Sequence, residues 1–157
     1  MEGLKKGLDR LLAALCVVDF IAMVLLTTYQ VVVRYVFNSP SAVSEVLTRY
    51  CFVWLILLSA TYVFGQRDHI CITFIKDRFH GNARKTIDVI IELVIILFSA
   101  LILVYGGTVI TTMNMLQYDS ILKIPTGTIY SIIPISGVLI IFYSIYNLLL
   151  TLKGGKR

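Results

Sequence analysis

The fold class of this chain follows from one run, Val89-Ile-Ile-Glu-Leu-Val-Ile-Ile-Leu-Phe98, which is apolar on nearly all sides. A barrel strand that crosses a membrane alternates apolar and polar residues over about ten positions, and this run does not alternate. In lipid every backbone amide must be paired inside its own segment, so the β-branched Val and Ile residues do not argue against a helix. The run therefore predicts a membrane-spanning α-helix.

Three further stretches have the same character, and the four predicted spans cover residues 11–33, 46–64, 89–112 and 128–152. At a rise of about 1.5 Å per residue, each one covers roughly the 30 Å hydrocarbon core of a bilayer. The composition agrees, because 58% of the 157 residues are hydrophobic and only 15% are charged. The sequence predicts an all-α membrane protein with one four-helix domain over residues 1–157.

The basic residues predict the orientation. Eleven of the 14 lie at the amino end, in the gap between the second and third spans, or at the carboxyl end. The positive-inside rule therefore places both termini in the cytoplasm. The net charge of +5 is explained by topology and by contact with phospholipid headgroups, and it does not indicate a nucleic-acid partner. The apolar run near the amino end carries Asp19 and lacks a cleavage site, so it is interpreted as a retained signal anchor.

The gap between the second and third spans contains apolar residues at helical spacing: Ile70, Cys71, Phe74, Ile75 and Phe79. This spacing predicts a short amphipathic helix over residues 69–80 in the cytoplasmic interface, with Arg67, His69 and Phe74 as candidate contacts there. The alternative is an irregular loop whose long side chains reach out of the lipid.

The gap between the first two spans contains Asn38-Ser39-Pro40, which predicts a turn followed by a helix that starts near Pro40. Glu45 and Arg49 are then spaced i, i+4 at the outer interface, and such a pair stabilises an exposed helix by only a few tenths of a kcal/mol. With Arg34 nearby, the pair is a candidate partner-facing group. Simple solvation is the alternative.

The tyrosines near the span ends are interpreted as aromatic belts. The predicted outer belt holds Tyr35, Tyr50, Tyr118 and Tyr130, and the inner belt holds Tyr62, Tyr143 and Tyr146.

Few residues inside the spans suggest function. Asp19 lies deep in the first span, where it serves either as a coupling site or, as we favour, as a polar contact to another helix. Pro134 predicts a kink in the fourth span, and Gly106 and Gly107 predict close helix approach in the third. Asp19, Trp54 and Pro134 are therefore candidates for helix packing or partner contact.

No catalytic, substrate-binding or metal site is predicted, and no cofactor. The only histidines, His69 and His80, lie in the cytoplasmic gap, so they cannot ligate a haem between facing helices. The three cysteines are scattered among apolar residues and are interpreted as buried thiols. A phosphate-binding Gly-rich loop and the paired broken helices of secondary transporters are also missing from the sequence. These patterns favour a scaffold over an enzyme.

Several short motifs follow one another in a specific order. They are Arg34-Tyr-Val-Phe-Asn38, Ser44-Glu45, Arg49-Tyr50, Trp54, His69-Ile70, Ile124-Pro125-Thr-Gly127, Tyr130 and Pro134. In order and spacing the chain resembles, over nearly its whole length, the small membrane subunit (DctQ type, or Q subunit) of tripartite ATP-independent periplasmic (TRAP) transporters.

The resemblance implies a complex in the inner membrane of a bacterium or archaeon. A large membrane subunit (M type) would carry out sodium-coupled, elevator-type uptake of an organic acid delivered by a periplasmic binding protein, and this chain would brace it. Sialic acid, a C4-dicarboxylate and other carboxylates remain open as substrates. Two alternatives remain: a self-sufficient proton-coupled exporter that acts as a homodimer with Asp19 as its coupling carboxylate, and a structural anchor for a membrane redox enzyme.

Overall fold

A computed structural model describes residues 2–39, 41–66 and 82–152. Its elements are α1 (Glu2–Val36), α2 (Ala42–Gln66), α3 (Asn82–Phe98), a π-helical segment (Ser99–Gly106), α4 (Gly107–Asn114), α5 (Gly127–Tyr130) and α6 (Ile132–Leu152). We call α3, the π-helical segment and α4 the third span, and α5 with α6 the fourth span.

Within the described residues, four helices are long and apolar enough to cross a membrane, which confirms the prediction of an all-α membrane protein. The first helix extends from Glu2 to Val36, well beyond the predicted apolar limits, because hydropathy marks the lipid boundary and not the end of the helix. Asn38 has a φ of 51° at the turn, and α2 begins at Ala42. Pro40, the interfacial helix predicted at 69–80, and Arg67, His69 and Phe74 lie outside the described residues.

The helices are arranged as a row. In the described part of the chain, extensive packing joins α1 to α2, α2 to α6, and α6 to the third span. The core contains Leu12, Leu58, Ile132 and Tyr143, so it lies where the first, second and fourth helices meet. Much of the remaining apolar surface is exposed, as expected when the solvent is lipid. The row therefore has α2 and the fourth span inside and α1 and the third span at its two edges.

The third and fourth spans approach each other closely. A Cβ added to Gly107 would lie 2.8 Å from Cγ2 of Ile133, and one added to Gly137 would lie 2.7 Å from Cβ of Leu103. The predicted role of Gly107 in close approach is therefore confirmed. The same prediction for Gly106 is wrong, because a Cβ there would meet only the Leu101 carbonyl oxygen of its own helix, at 3.7 Å.

The fourth span is interrupted at Ser131, between α5 and α6, and Pro134 is the third residue of α6. The break occurs here because the ring nitrogen of Pro134 cannot donate a hydrogen bond to the Tyr130 carbonyl. Across the contact, the third span widens into its π-helical segment, which the sequence did not predict. Both partners in this contact are thus locally irregular.

The aromatic-belt prediction is wrong for two tyrosines. Tyr143 is completely buried and Tyr146 is nearly so, whereas Tyr35 and Tyr118 are exposed as a belt requires. The two rings are buried because α6 is one of the two inner helices of the row.

Candidate functional site

A polar contact, which we call the Asp9 tie, joins the first turns of α1, the end of α2 and the second half of α6. The Tyr143 hydroxyl donates a hydrogen bond of 2.6 Å to Oδ1 of Asp9, and Nε2 of Gln66 donates one of 3.3 Å to Oδ2. Gly65 makes room for the tyrosine, because a Cβ at this position would lie 2.8 Å from Cε1 of Tyr143. The tie fixes α1 against both α2 and α6.

Lys5 makes a second contact between α1 and α6 at the same end. Its side chain is buried, and its Nζ lies 5.5 Å from the centroid of the Tyr146 ring. The ring face attracts the ammonium group electrostatically, which offsets part of the desolvation that burial imposes.

The opposite end of the row has its own polar contact, the Asp119 tie. The Tyr50 hydroxyl donates a hydrogen bond of 2.5 Å to Oδ2 of Asp119, and the backbone N–H groups of Ile121 and Leu122 donate to Oδ1 at 2.8 and 2.9 Å. The Tyr50 hydroxyl, followed by the backbone N–H groups of Leu122 and Ile121, holds the pKa of Asp119 below its ordinary value of 3.8. The tie connects α2 to the segment between the third and fourth spans.

That segment, residues 115–126, forms an ordered hairpin. Thr126 donates to the Gln117 carbonyl from its backbone N–H at 2.8 Å and from its hydroxyl at 2.7 Å. The backbone N–H of Asp119 donates a hydrogen bond of 3.0 Å to the Ile124 carbonyl, and the backbone N–H of Lys123 donates one of 2.9 Å to the Asp119 carbonyl. The 115–126 hairpin therefore has a defined shape before any partner binds.

Trp54, a candidate for helix packing or partner contact, donates a hydrogen bond of 3.2 Å from its indole N–H to the Ile129 carbonyl. Ile129 belongs to α5, just before the interruption of the fourth span. The indole thus links α2 to the short helix that precedes Pro134.

Asp19 lies on α1 and interacts with the Cys51 thiol of α2. Its second oxygen, Oδ2, is buried and has no hydrogen-bond partner within residues 2–39, 41–66 and 82–152. The carboxyl group therefore meets a neighbouring helix of the same chain.

The Arg34 pocket, of about 230 Å³, lies between the end of α1 and the start of α2. It is lined by Gln30, Val31, Arg34, Tyr35, Ser41 and Glu45. Nη2 of Arg49 lies 3.2 Å from Oε1 of Glu45, and these two side chains are 66% and 68% exposed. The three predicted partner-facing residues therefore form one charged surface, since Arg34 and Glu45 share the pocket and Arg49 pairs with Glu45.

Sequence reasoning missed the residues of both ties. Asp9 and Gln66 are polar residues close to the ends of apolar stretches, where solvation explains them equally well, and Tyr50 and Tyr143 matched the belt pattern. Asp119, in a Tyr-Asp-Ser turn sequence, carried the clearest available signal, because Asp favours turns by accepting hydrogen bonds from the following backbone.

The arrangement holds helices together and presents a charged surface. Among the residues that the structure describes, no group of three or more His, Cys, Asp or Glu side chains is placed to hold a metal ion. Cys16 and Cys51 are free thiols.

A row of spanning helices, tied at both ends and carrying a charged surface at one of them, is the architecture of a multi-pass membrane protein. Residues 23–154 match the family model of the DctQ component of tripartite ATP-independent periplasmic transporters, and the chain belongs to this family. The resemblance found in its motifs is thereby confirmed.

Relatives agree with this assignment. The chain is 26% identical over 152 residues to a protein of Haemophilus influenzae named as a TRAP transporter small permease protein, covering 97% of this chain and 94% of the relative. It is 25% identical over 162 residues to the sialic acid TRAP transporter small permease protein SiaQ of Vibrio cholerae, covering 98% and 90%. It is also 26% identical over 139 residues to the sialic acid TRAP transporter permease protein SiaT of Haemophilus influenzae, covering 87% of this chain but 22% of that longer protein.

Proposed function

We propose that this chain is the scaffold subunit of a TRAP complex in the cytoplasmic (inner) membrane. It braces a large membrane subunit that takes up an organic acid, of the sialic acid or C4-dicarboxylate class, together with sodium. A periplasmic binding protein delivers the acid. The observation that carries the proposal is the row of helices tied at both ends.

A scaffold subunit must resist tilting of its helices. An elevator-type transporter moves one domain past a stationary one, so the stationary part must resist tilting while the other slides. A hydrogen bond between membrane helices is worth only about 0.6 to 1.7 kcal/mol, so neither tie is strong by itself. The Asp9 and Asp119 ties, however, lie at opposite ends of α2. Two fixed points on one helix restrict its tilt relative to the fourth span far more than either point alone.

The relatives support a large membrane subunit as the partner of this chain. In the SiaT relative the matching part makes up 22% of a longer permease, so a segment like this chain is joined to the rest of that permease. This supports a stable association between the present chain and a large membrane subunit. The names of two relatives specify sialic acid, which supports an organic acid as the substrate of the complex.

The orientation follows from the distribution of basic residues. The Asp9 tie would face the cytoplasm with both termini, and the 115–126 hairpin and the Arg34 pocket would face the periplasm. In this orientation the charged surface of Arg34, Glu45 and Arg49 is available to the binding protein.

The test is reconstitution in liposomes with the large subunit and the binding protein from the same organism. Under an inward sodium gradient, we expect uptake of a labelled acid only when all three proteins are present, and none with this chain alone. Asp19→Asn should lower uptake modestly, because a polar contact between membrane helices supports packing and is worth little free energy. Full uptake without this chain would contradict the proposal. So would proton-driven transport by the isolated chain that Asp19→Asn abolishes, which is the outcome expected of an exporter.

A further inference from the structure

The Arg34 pocket lies at the boundary of the membrane. Arg34 is the third residue from the end of the first membrane-spanning stretch, Lys5–Val36, and Glu45 is the fourth residue of the second, Ala42–Gln66. Both charged side chains therefore lie where the apolar spans give way to the lipid headgroups. This position does not depend on which side of the membrane the pocket faces, because both residues lie at the end of a span.

Both charged side chains of the pocket keep the capacity to bind a ligand. In the described part of the chain the Arg34 guanidinium forms no ion pair, and its Cζ lies 6.0 Å from the centroid of the Tyr35 ring. Oε1 of Glu45 is engaged by Arg49, whereas Oε2 accepts no hydrogen bond from the residues that the structure describes. A guanidinium binds a phosphate through two parallel N–H bonds, and a carboxylate oxygen accepts a hydrogen bond from an ammonium group. The pocket therefore offers one position for an anion and one for a cation.

One wall of the pocket continues into the membrane. Gln30 and Val31 precede Arg34 by about one turn of α1, so they lie closer to the middle of the span. Val31 is 52% exposed, so an apolar surface extends below the guanidinium. A ligand that fills the full depth of the pocket meets charged groups at the top and an apolar wall below. A free anion has no apolar body for this wall, and a water-soluble protein does not follow the wall into lipid.

We propose that the Arg34 pocket binds a zwitterionic phospholipid, with its phosphate on Arg34, its ammonium group on Glu45 and an acyl chain along Val31. Phosphatidylethanolamine carries both charges in its headgroup, whereas phosphatidylglycerol carries only the phosphate. Charge complementarity therefore favours phosphatidylethanolamine. The inference goes beyond the proposed function and does not depend on it, because it concerns the chain by itself. Arg49 is not part of the pocket lining and stays available to the binding protein.

The test is native mass spectrometry of the isolated chain, released from detergent that contains equal amounts of phosphatidylethanolamine and phosphatidylglycerol. We expect Arg34→Gln to lower the phosphatidylethanolamine adducts about tenfold, as for the loss of a charge-assisted contact. Arg10→Gln is the matched control, because it removes the same charge from an exposed residue toward the other end of α1. The control should leave the adducts near the wild-type level. Thermal unfolding of each variant in detergent should match the wild type.

A second variant, Glu45→Gln, separates the two headgroups. It removes the partner of the ammonium group and also the repulsion of a purely anionic headgroup, so the preference should shift from phosphatidylethanolamine toward phosphatidylglycerol. An unchanged ratio of the two lipids in this variant, or equal phosphatidylethanolamine adducts in wild type and Arg34→Gln, would overturn the proposal. Displacement of the lipid by inorganic phosphate would identify a site for soluble anions and would overturn it as well.

Discussion

The Tyr143 hydroxyl lies 2.6 Å from Oδ1 of Asp9, and the two residues are 134 positions apart. The contact joins the first turns of α1 to the second half of α6. Because the tyrosine ring is completely buried beside Gly65, the hydroxyl has a fixed position from which to donate.

Replacing Tyr143 with Phe keeps the ring and removes only this hydrogen bond. We expect the free energy of unfolding to fall by about 0.6 to 1.7 kcal/mol, the range measured for polar contacts between membrane helices. Thermal unfolding of the isolated chain in one detergent measures the change. Tyr105→Phe is the control, because Tyr105 is exposed. Equal melting temperatures for wild type and Tyr143→Phe would show that the tie does not stabilise the chain.

The adjacent glycines of the third span provide a matched pair. Gly107→Ala forces a Cβ to within 2.8 Å of Ile133 and 3.1 Å of Pro134, so it should destabilise the chain by about 1 to 3 kcal/mol through overpacking. Gly106→Ala meets no neighbouring helix and should be neutral or slightly stabilising, by up to about 1 kcal/mol, because Ala favours helix. The same unfolding assay compares them. A larger loss from Gly106→Ala would contradict the observed contact between the third and fourth spans.

The stability of the 115–126 hairpin should depend on pH. The folded pKa of Asp119 lies below its ordinary value of 3.8, so the ionised form is favoured by folding. The stabilisation is complete above that value and is lost as the pH falls through the lower folded pKa. Hydrogen exchange of the hairpin amides should therefore accelerate, once corrected for intrinsic rates, as the pH is lowered from 6 toward 3. Asp119→Asn should show no such dependence; a similar acid response in this variant would assign the titration to another group.

The charged surface at the Arg34 pocket can be inverted while its ion pair is kept. Glu45→Lys combined with Arg49→Glu retains an i, i+4 pair of opposite charges, so helix support changes little. We expect slower uptake chiefly at low concentrations of binding protein, since charges at an interface rim mainly alter association rate and salt dependence. Uptake is titrated against binding protein at two ionic strengths. Superimposable curves for variant and wild type would assign the pair to local helix support or to contact with the large subunit.

Orientation is tested with single cysteines in a chain that lacks the native ones. Ser41→Cys and Ser120→Cys should react in intact cells with an impermeant thiol reagent, whereas Asn82→Cys should react only after the cells are opened. The expectation rests on the location of 11 of the 14 basic residues at the predicted cytoplasmic end. Labelling of Asn82→Cys in intact cells would reverse the topology.

Sequence patterns predicted the spans, the close approach at Gly107 and an irregularity of the fourth span at Pro134. Each of these depends on local composition or on the chemistry of one residue. The Glu45–Arg49 pair was equally accessible, since its partners are four positions apart. The two ties were not. Tyr50 and Asp119 are 69 positions apart, and Tyr143 and Asp9 are 134 apart. Predicting these contacts requires the order of the helices in the row, and hydropathy does not give that order.

The buried tyrosines also depend on the order of the helices, which sequence patterns do not give. A tyrosine near the end of an apolar stretch can anchor in the headgroup region or donate a hydrogen bond to a neighbouring helix, and both roles produce the same sequence. Tyr143 is buried because α6 lies inside the row, whereas Tyr35 is exposed at the end of the edge helix α1. The π-helical segment, which packs against α6, has no sequence signature of its own.

The distance in sequence between Asp9 and Tyr143 has a consequence for biosynthesis. A ribosome releases Asp9 long before Tyr143, and a nascent chain folds from its amino end as it emerges. Until the last helix enters the membrane, Asp9 can bind Gln66 but lacks its tyrosine, and the buried position beside Gly65 remains unfilled. The row therefore closes only after the fourth span has entered the membrane. A chain truncated before α6 would expose the Asp9 carboxylate without its tyrosine and the apolar surface beside Gly65 that α6 covers. Membrane quality-control proteases can recognise such exposed groups.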